Sequence, residues 1–206
     1  SLSSLLNAVL WISFSAIDDA TSNFYEVSLA QVNWLAIVFQ VLYLPGMLLA
    51  LWLLAALSLR TTLVIGTAMG AVAGLLRLAS TALAHHSPHA GYAVVMAGQL
   101  VGAMAQPIFL STPAKMAANW FPVNERDLAT TVAALFNPFG NAVGQVISPF
   151  VVTDSDHPAS GMFNLLLGQA IALVLVFFWC VACFRSHPPT APSHSAKLRE
   201  EEELAE

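Results

Sequence analysis

Trp11, Gln40, Tyr43, Gln106, Asn137 and Asn141 are aromatic rings and amides set in stretches otherwise made of hydrocarbon. An uncharged amide can both donate and accept hydrogen bonds, and an aromatic face attracts a quaternary ammonium by cation–π interaction. That chemistry suits non-covalent recognition of a small solute. The signatures of covalent or metal-assisted catalysis are missing: the sequence has no nucleophile elbow, no HExxH and no phosphate-binding glycine loop, and its adjacent acids Asp18 and Asp19 point in different directions on a helix. Neither enzymatic activity nor a cofactor is expected.

Each candidate also has a plainer structural reading. Trp11 lies in the middle of an apolar run, too deep for the interfacial belt that accounts for Trp34 and Tyr92, so it either borders a cavity or packs against a neighbour. Gln40 and Tyr43 share one face of the next run. Gln99 and Gln106 share a face with Gly98, Gly102 and Ala105, which lets another helix come close. Gln106 precedes Pro107, with Pro113 beyond it, and proline frees carbonyls that the bundle or cavity water must satisfy. Gln106 is thus a solute contact or interhelical glue. Asn137, Asn141 and Gln145 recur at i, i+4, i+8 beside Gly140 and Gly144, with Pro138 and Pro149 in the same run. Such a stripe either closes a helix–helix seam or lines a polar passage.

Arg77 lies about two helical turns from the nearer end of its run. Either its long stem carries the guanidinium out to the interface, or the charge faces the bundle interior. His85, His86 and His89 could ligate a transition metal or haem, but Pro88 interrupts them and solvated imidazoles are the simpler reading, so no metal site is assigned. Cys180 and Cys183 lack the soluble redox context of a reactive pair and read as small helix residues, one of them open to acylation.

The elements that must position these residues follow from composition. Hydrophobic residues make up 57% of the chain and charged residues 9%, against about 25% charged in soluble domains. Mean hydropathy is +0.71. The outside of such a chain faces lipid. A span needs roughly 20 apolar residues, and the runs 2–20, 32–56, 62–84, 91–112, 128–152 and 160–184 predict six transmembrane helices, an all-α membrane fold. The runs are continuously apolar, which argues against a barrel. Of the seven Lys and Arg, six fall after span 2, between spans 4 and 5, or after span 6. The positive-inside rule then sets both termini in the cytoplasm, in the plasma membrane or an internal one. Residues 1–185 form the bundle. Residues 186–206, with Pro188, Pro189, Pro192 and the run Glu200 to Glu203, read as a cytoplasmic linker or tail without fixed structure. The net charge of −5 comes largely from that tail and points to no nucleic-acid partner. Ser1 is not an initiator Met and no basic segment precedes the first run, so the start looks clipped.

Six spans with cytoplasmic ends match one half of a major facilitator superfamily carrier. The local sequence is more specific. Asn7-Ala8 with Trp11, Val32-Asn33-Trp34-Leu35, Gln99, Ala105-Gln106, Ser111-Thr112-Pro113-Ala114-Lys115, Trp120-Phe121 and Phe136-Asn137-Pro138-Phe139-Gly140-Asn141 resemble the family of the feline leukaemia virus subgroup C receptors. The resemblance covers about residues 5–185 and is most specific over 105–149. It implies the N-terminal six-helix half of a carrier for choline or ethanolamine, with haem also proposed for some members. It also implies that Trp11 and Gln106 match a tryptophan and a glutamine of the choline site, whose tyrosine partner would lie beyond this chain. Arg77 matches a cation in relatives, as a structural or gating charge. One departure stands out. The loop that normally carries an acid and a glycine ahead of a basic residue is here Ala55-Ala56-Leu57-Ser58-Leu59-Arg60, which keeps only Arg60.

The leading expectation is a solute transporter working by alternating access. Its partners would be the bilayer, a small solute, and a missing C-terminal six-helix half or a second copy of this one. The alternative is a truncated, non-transporting membrane protein that binds a partner transporter or receptor. Haem handling through the loop histidines ranks last. Asp18 and Asp19 mark the outer end of span 1, and no Asp or Glu lies deeper in a span to carry a coupling proton, which favours facilitated diffusion.

Overall fold

A computed structural model describes residues 1–153 and 158–186. The expected tail lies outside them apart from Ser186, as do Asp154 and Asp156. The described residues form helices α1 (Leu2–Ile12), α2 (Asp18–Tyr25), α3 (Leu29–Val41), α4 (Tyr43–Ala56), α5 (Leu59–Ala84), α6 (Pro88–Trp120), α7 (Arg126–Thr153) and α8 (Pro158–Cys183). Single 3-10 turns at Ser15–Ile17 and Val123–Glu125 precede α2 and α7.

Four stretches among the described residues are long and apolar enough to cross a bilayer: Leu29–Ala56, Leu59–Ala84, Pro88–Trp120 and Ala159–Cys183. These match expected spans 2, 3, 4 and 6. The first expected span, 2–20, is not one helix. It stops at Ile12, and the chain restarts at Asp18 after the 3-10 turn, which leaves an apolar helix of 11 residues. The fifth, α7, runs 28 residues, long enough to cross, but Asn137, Asn141 and Gln145 dilute its apolar content and it is not among the four.

Local chemistry fixes the ends. Ser28 and Gln31 form a capping box at the start of α3, and Ser58 and Ser87 cap α5 and α6 through the main-chain N–H groups of Thr61 and Ala90. Span 2 breaks at Leu42 (φ −83°, ψ −1°). Pro45 lacks the N–H that would bond to Val41, three residues into α4. By contrast α6 passes unbroken through both Pro107 and Pro113 and continues eight residues beyond the expected end at 112.

Helix α6 is the centre of the bundle. It packs most extensively on α5, and also on α4, α7, α1 and α3, while α8 lies against α5 and α1 against α7. The α1–α7 seam depends on small residues. A Cβ at Gly144 would sit 2.5 Å from the Ile12 side chain and 3.2 Å from Val9 Cα, and one at Gly140 would collide with the Leu5 carbonyl. Leu44, Leu48 and Trp52 on α4, Val132 and Phe150 on α7, and Leu175 and Phe178 on α8 are exposed, an outer surface suited to acyl chains rather than water.

Three cations at one end of the bundle close helix C-termini, and among the described residues none of them meets a carboxylate. The Lys115 ammonium donates to Leu54 O in the last turn of α4. Arg126 Nε donates to Phe121 O just past α6 over 3.1 Å, and Arg60 Nη2 donates to Val181 O in the last turn of α8 over 2.8 Å. The exposed carbonyls of a helix end carry partial negative charge that such cations satisfy.

Candidate functional site

A cleft of about 400 Å³ opens between α1, α3, α4, α6 and α7. Trp11, Gln40, Tyr43, Gln106 and Asn137 line it, and Phe39 and Leu110 complete the wall. Its volume lies in the range of small-molecule pockets, roughly 300–1,000 Å³. No lining residue is charged at neutral pH.

Each polar lining residue sits where a helix is interrupted or lacks a main-chain donor. Trp11 is the last residue but one of α1. Gln40 and Tyr43 flank the break at Leu42. Gln106 immediately precedes Pro107 and Asn137 immediately precedes Pro138, both within helices. Regular apolar helix would present only hydrocarbon at these levels.

The Trp11 indole is held by its nitrogen, which donates to Ala36 O on α3 over 3.1 Å. Phe39 stacks on the ring, with centroids 6.2 Å apart and planes inclined by 28°. The donor is therefore committed, and a solute in the cleft meets aromatic surface. Gln106 is buried, and no hydrogen bond to its side chain is seen among the described residues. Asn137 Nδ2 is buried without a protein partner among the described residues. A buried donor of this kind costs free energy until something accepts from it. Gln40 and Tyr43 are exposed at the cleft mouth.

Asn141 does not line the cleft. It is half-buried one turn along α7, and its Oδ1 has no partner among the described residues. Gln145, the third member of the stripe, is exposed. The stripe is thus divided: Gly140 and Gly144 close the seam with α1 while Asn137 faces the cleft. Gln99 is interhelical glue, its Nε2 donating to Leu35 O over 2.9 Å. Asn7 does the same, with Nδ2 on Gly102 O at 3.0 Å.

Arg77 does not reach the interface. It is 1% exposed, with Nη1 on Leu10 O at 3.1 Å, Nη2 on Ser13 Oγ at 2.9 Å, and its guanidinium carbon 4.5 Å from the Phe14 ring centre. Arg60 is distant from the cleft lining and caps α8. His85 and His86 are exposed, and no group of three or more His, Cys, Asp or Glu able to hold a metal occurs among the described residues. Phe39 and Leu110 were not singled out by sequence, because an apolar residue within an apolar run carries no distinguishing signal.

Residues 1–205 match the family model of the Major Facilitator Superfamily. Among curated relatives, Solute carrier family 49 member A3 of Xenopus tropicalis is 34% identical over 198 residues, covering 95% of this chain and 40% of that protein. The choline/ethanolamine transporter FLVCR1 of Mus musculus is 32% identical, covering 97% of this chain and 38% of its own length. The choline/ethanolamine transporter FLVCR2 of Homo sapiens is 31% identical, covering 95% and 36%. The chain therefore spans well under half the length of the curated relatives it matches. All described elements are helical or 3-10, several of them long and apolar, as a multi-pass membrane protein requires. With a match over nearly its whole length, and with relatives from the feline leukaemia virus subgroup C receptor group, the chain belongs to the Major Facilitator Superfamily.

Proposed function

We propose that this chain is the N-terminal six-span half of a carrier for a small organic cation of the choline or ethanolamine type, and that the solute binds in the cleft walled by Trp11, Gln106 and Asn137. The observation that carries this reading is the meeting of aromatic surface and unpartnered amides in one uncharged cavity. A quaternary ammonium is a poor hydrogen-bond partner and a weakly hydrated cation. Aromatic faces attract it without demanding a carboxylate, while Gln106 and Asn137 are free to bond the solute's hydroxyl or amine. Asn141, a turn away, would join only if α7 rotated. α1 and α7 would supply the short or polar spans, with both termini in the cytoplasm as the cations predict.

A C-terminal six-helix half, or a second copy, would close the open side of the cleft. Transport would follow from rocking one half against the other. Arg60, without the loop acid, would serve α8 as a structural charge rather than lock a gate. The test is uptake of labelled choline and ethanolamine by cells expressing the open reading frame that contains this chain, compared with its Trp11→Ala variant. Uptake lost in the variant supports the reading. Equal uptake by both would remove the cleft from the solute's path.

A further inference from the structure

Ending a helix within a hydrocarbon layer leaves its last carbonyls without donors, and α1 ends one residue after Trp11. Two of those carbonyls are met locally: Ser13 N–H donates to Val9 O over 3.1 Å, and Ser13 Oγ donates to Leu10 O over 3.1 Å. Arg77, about two turns before the end of α5, adds Nη1 on the same Leu10 oxygen and Nη2 on Ser13 Oγ, over 3.1 and 2.9 Å. The guanidinium thus spans the break in two places, a geometry its planar fork provides and an ammonium does not. Its positive charge lies at a helix C-terminus, where it is favoured. Gly98 makes the approach possible, since a Cβ there would be 2.9 Å from Arg77 Cγ.

The far side of the break is tied to the same turn of α5. Ser80 Oγ donates to Arg77 O, and the Tyr25 hydroxyl at the end of α2 meets Ser80 Oγ, both over 2.6 Å. Leu10, whose carbonyl Arg77 grips, is joined directly to Trp11. Trp11 is therefore fixed twice: through its side chain at Ala36 and through its main chain at Arg77.

We propose that Arg77 is the positioning residue for Trp11, a clamp on the broken end of α1 that sets where the indole face stands in the cleft. The inference rests on the reading of that cleft as the solute site, and it assigns Arg77 no contact with solute. Arg77→Lys keeps the charge but is shorter and loses the planar fork that gives Leu10 O and Ser13 Oγ a separate nitrogen each. Ser13→Ala keeps Arg77 and removes one of its two acceptors.

The test is fluorine NMR of the chain in lipid nanodiscs, labelled with 5-fluorotryptophan, with the Trp11 signal assigned by Trp11→Phe. In Arg77→Lys and in Ser13→Ala the Trp11 signal is expected to shift or split while those of lipid-facing Trp52 and Trp179 stay in place. Choline titrated onto either variant, made in the whole open reading frame that contains this chain, should bind roughly two- to tenfold more weakly, the equivalent of one net hydrogen bond. An unmoved Trp11 signal overturns the clamp, and so does an equal disturbance of all five tryptophans, which would make Arg77 a general support. If Arg77→Lys does not fold, Ser13→Ala alone decides. If choline leaves the Trp11 signal unchanged in the unsubstituted product of the whole open reading frame that contains this chain, the solute-site reading fails, while the response of that signal to the substitutions still judges the clamp.

Discussion

The indole nitrogen of Trp11 and the main-chain oxygen of Ala36 are 3.1 Å apart, and this one bond decides what the ring can offer a solute. With its donor turned into α3, the indole presents aromatic surface. On the proposed reading of the cleft, recognition at Trp11 is a matter of cation–π and dispersion contact, with hydrogen bonding left to the amides of α6 and α7.

Replacing Trp11 separates these contributions. Trp11→Phe keeps an aromatic face and gives up the bond to Ala36, so choline affinity should fall only a few-fold. Trp11→Ala removes the face, and a cation–π contact worth about 0.5–2 kcal/mol corresponds to a loss of roughly two- to thirtyfold. Equilibrium binding of labelled choline to both variants gives the comparison. Equal losses would mean that an aromatic face as such contributes nothing to binding.

Gln106 tests the other half of the cleft. Its side chain is buried yet has no hydrogen bond among the described residues, so Gln106→Leu should leave the thermal unfolding midpoint in detergent unchanged or slightly raised. Solute affinity should nevertheless drop, by about tenfold for one hydrogen bond to a charged or polar solute. A variant that binds normally would return Gln106 to the packing role.

How far the sequence announced this arrangement depended on whether the cause was local. Apolar run length locates α5 and α8 to within a few residues, because burial in lipid is decided by composition along the run. The stop in α1 has no such cue. Ile12 to Ile17 reads as a continuing apolar stretch, and the group that satisfies the interrupted carbonyl, Arg77, is contributed by another helix. The break at Leu42 has a local signal in Pro45, which lies inside a continuously apolar run and goes unread by run length. Pro107 carried the opposite lesson. It marks a cleft residue without breaking its helix, since its ring packs in the space left by Gly46. For the cleft, depth flags Trp11, the adjacent proline flags Gln106, and the polar stripe flags Asn137 together with Asn141. Spacing alone could not separate Asn141 from Asn137, because that depends on how α1 presses on Gly140 and Gly144.

That seam makes a stability prediction. In Gly144→Leu even the first carbon of the side chain meets Ile12 at 2.5 Å, and Val9 Cα at 3.2 Å is main chain that cannot turn aside. Overpacking of this kind costs about 1–3 kcal/mol and should lower the unfolding midpoint. Gly168→Ala is the control. Nothing lies within 4 Å of its Cβ, so the variant should match or exceed the unsubstituted chain.

The cleft also predicts how binding responds to acid. Its lining holds aromatic rings, amides and a leucine, with no carboxylate and no imidazole. Among side chains with ordinary values, histidine is the one whose charge changes between about pH 5 and 8, and His85, His86 and His89 are absent from the lining. Choline keeps its charge at every pH. The affinity of the chain for choline should therefore be flat across that interval, measured by titration at fixed ionic strength so that screening does not intrude. A carboxylate-based cation site would instead weaken as its acid protonated toward the lower end. A slope approaching tenfold per pH unit would show that a titrating side chain outside this cleft completes the solute site, and Trp11, Gln106 and Asn137 would then lose their claim to hold the cation by neutral contacts alone.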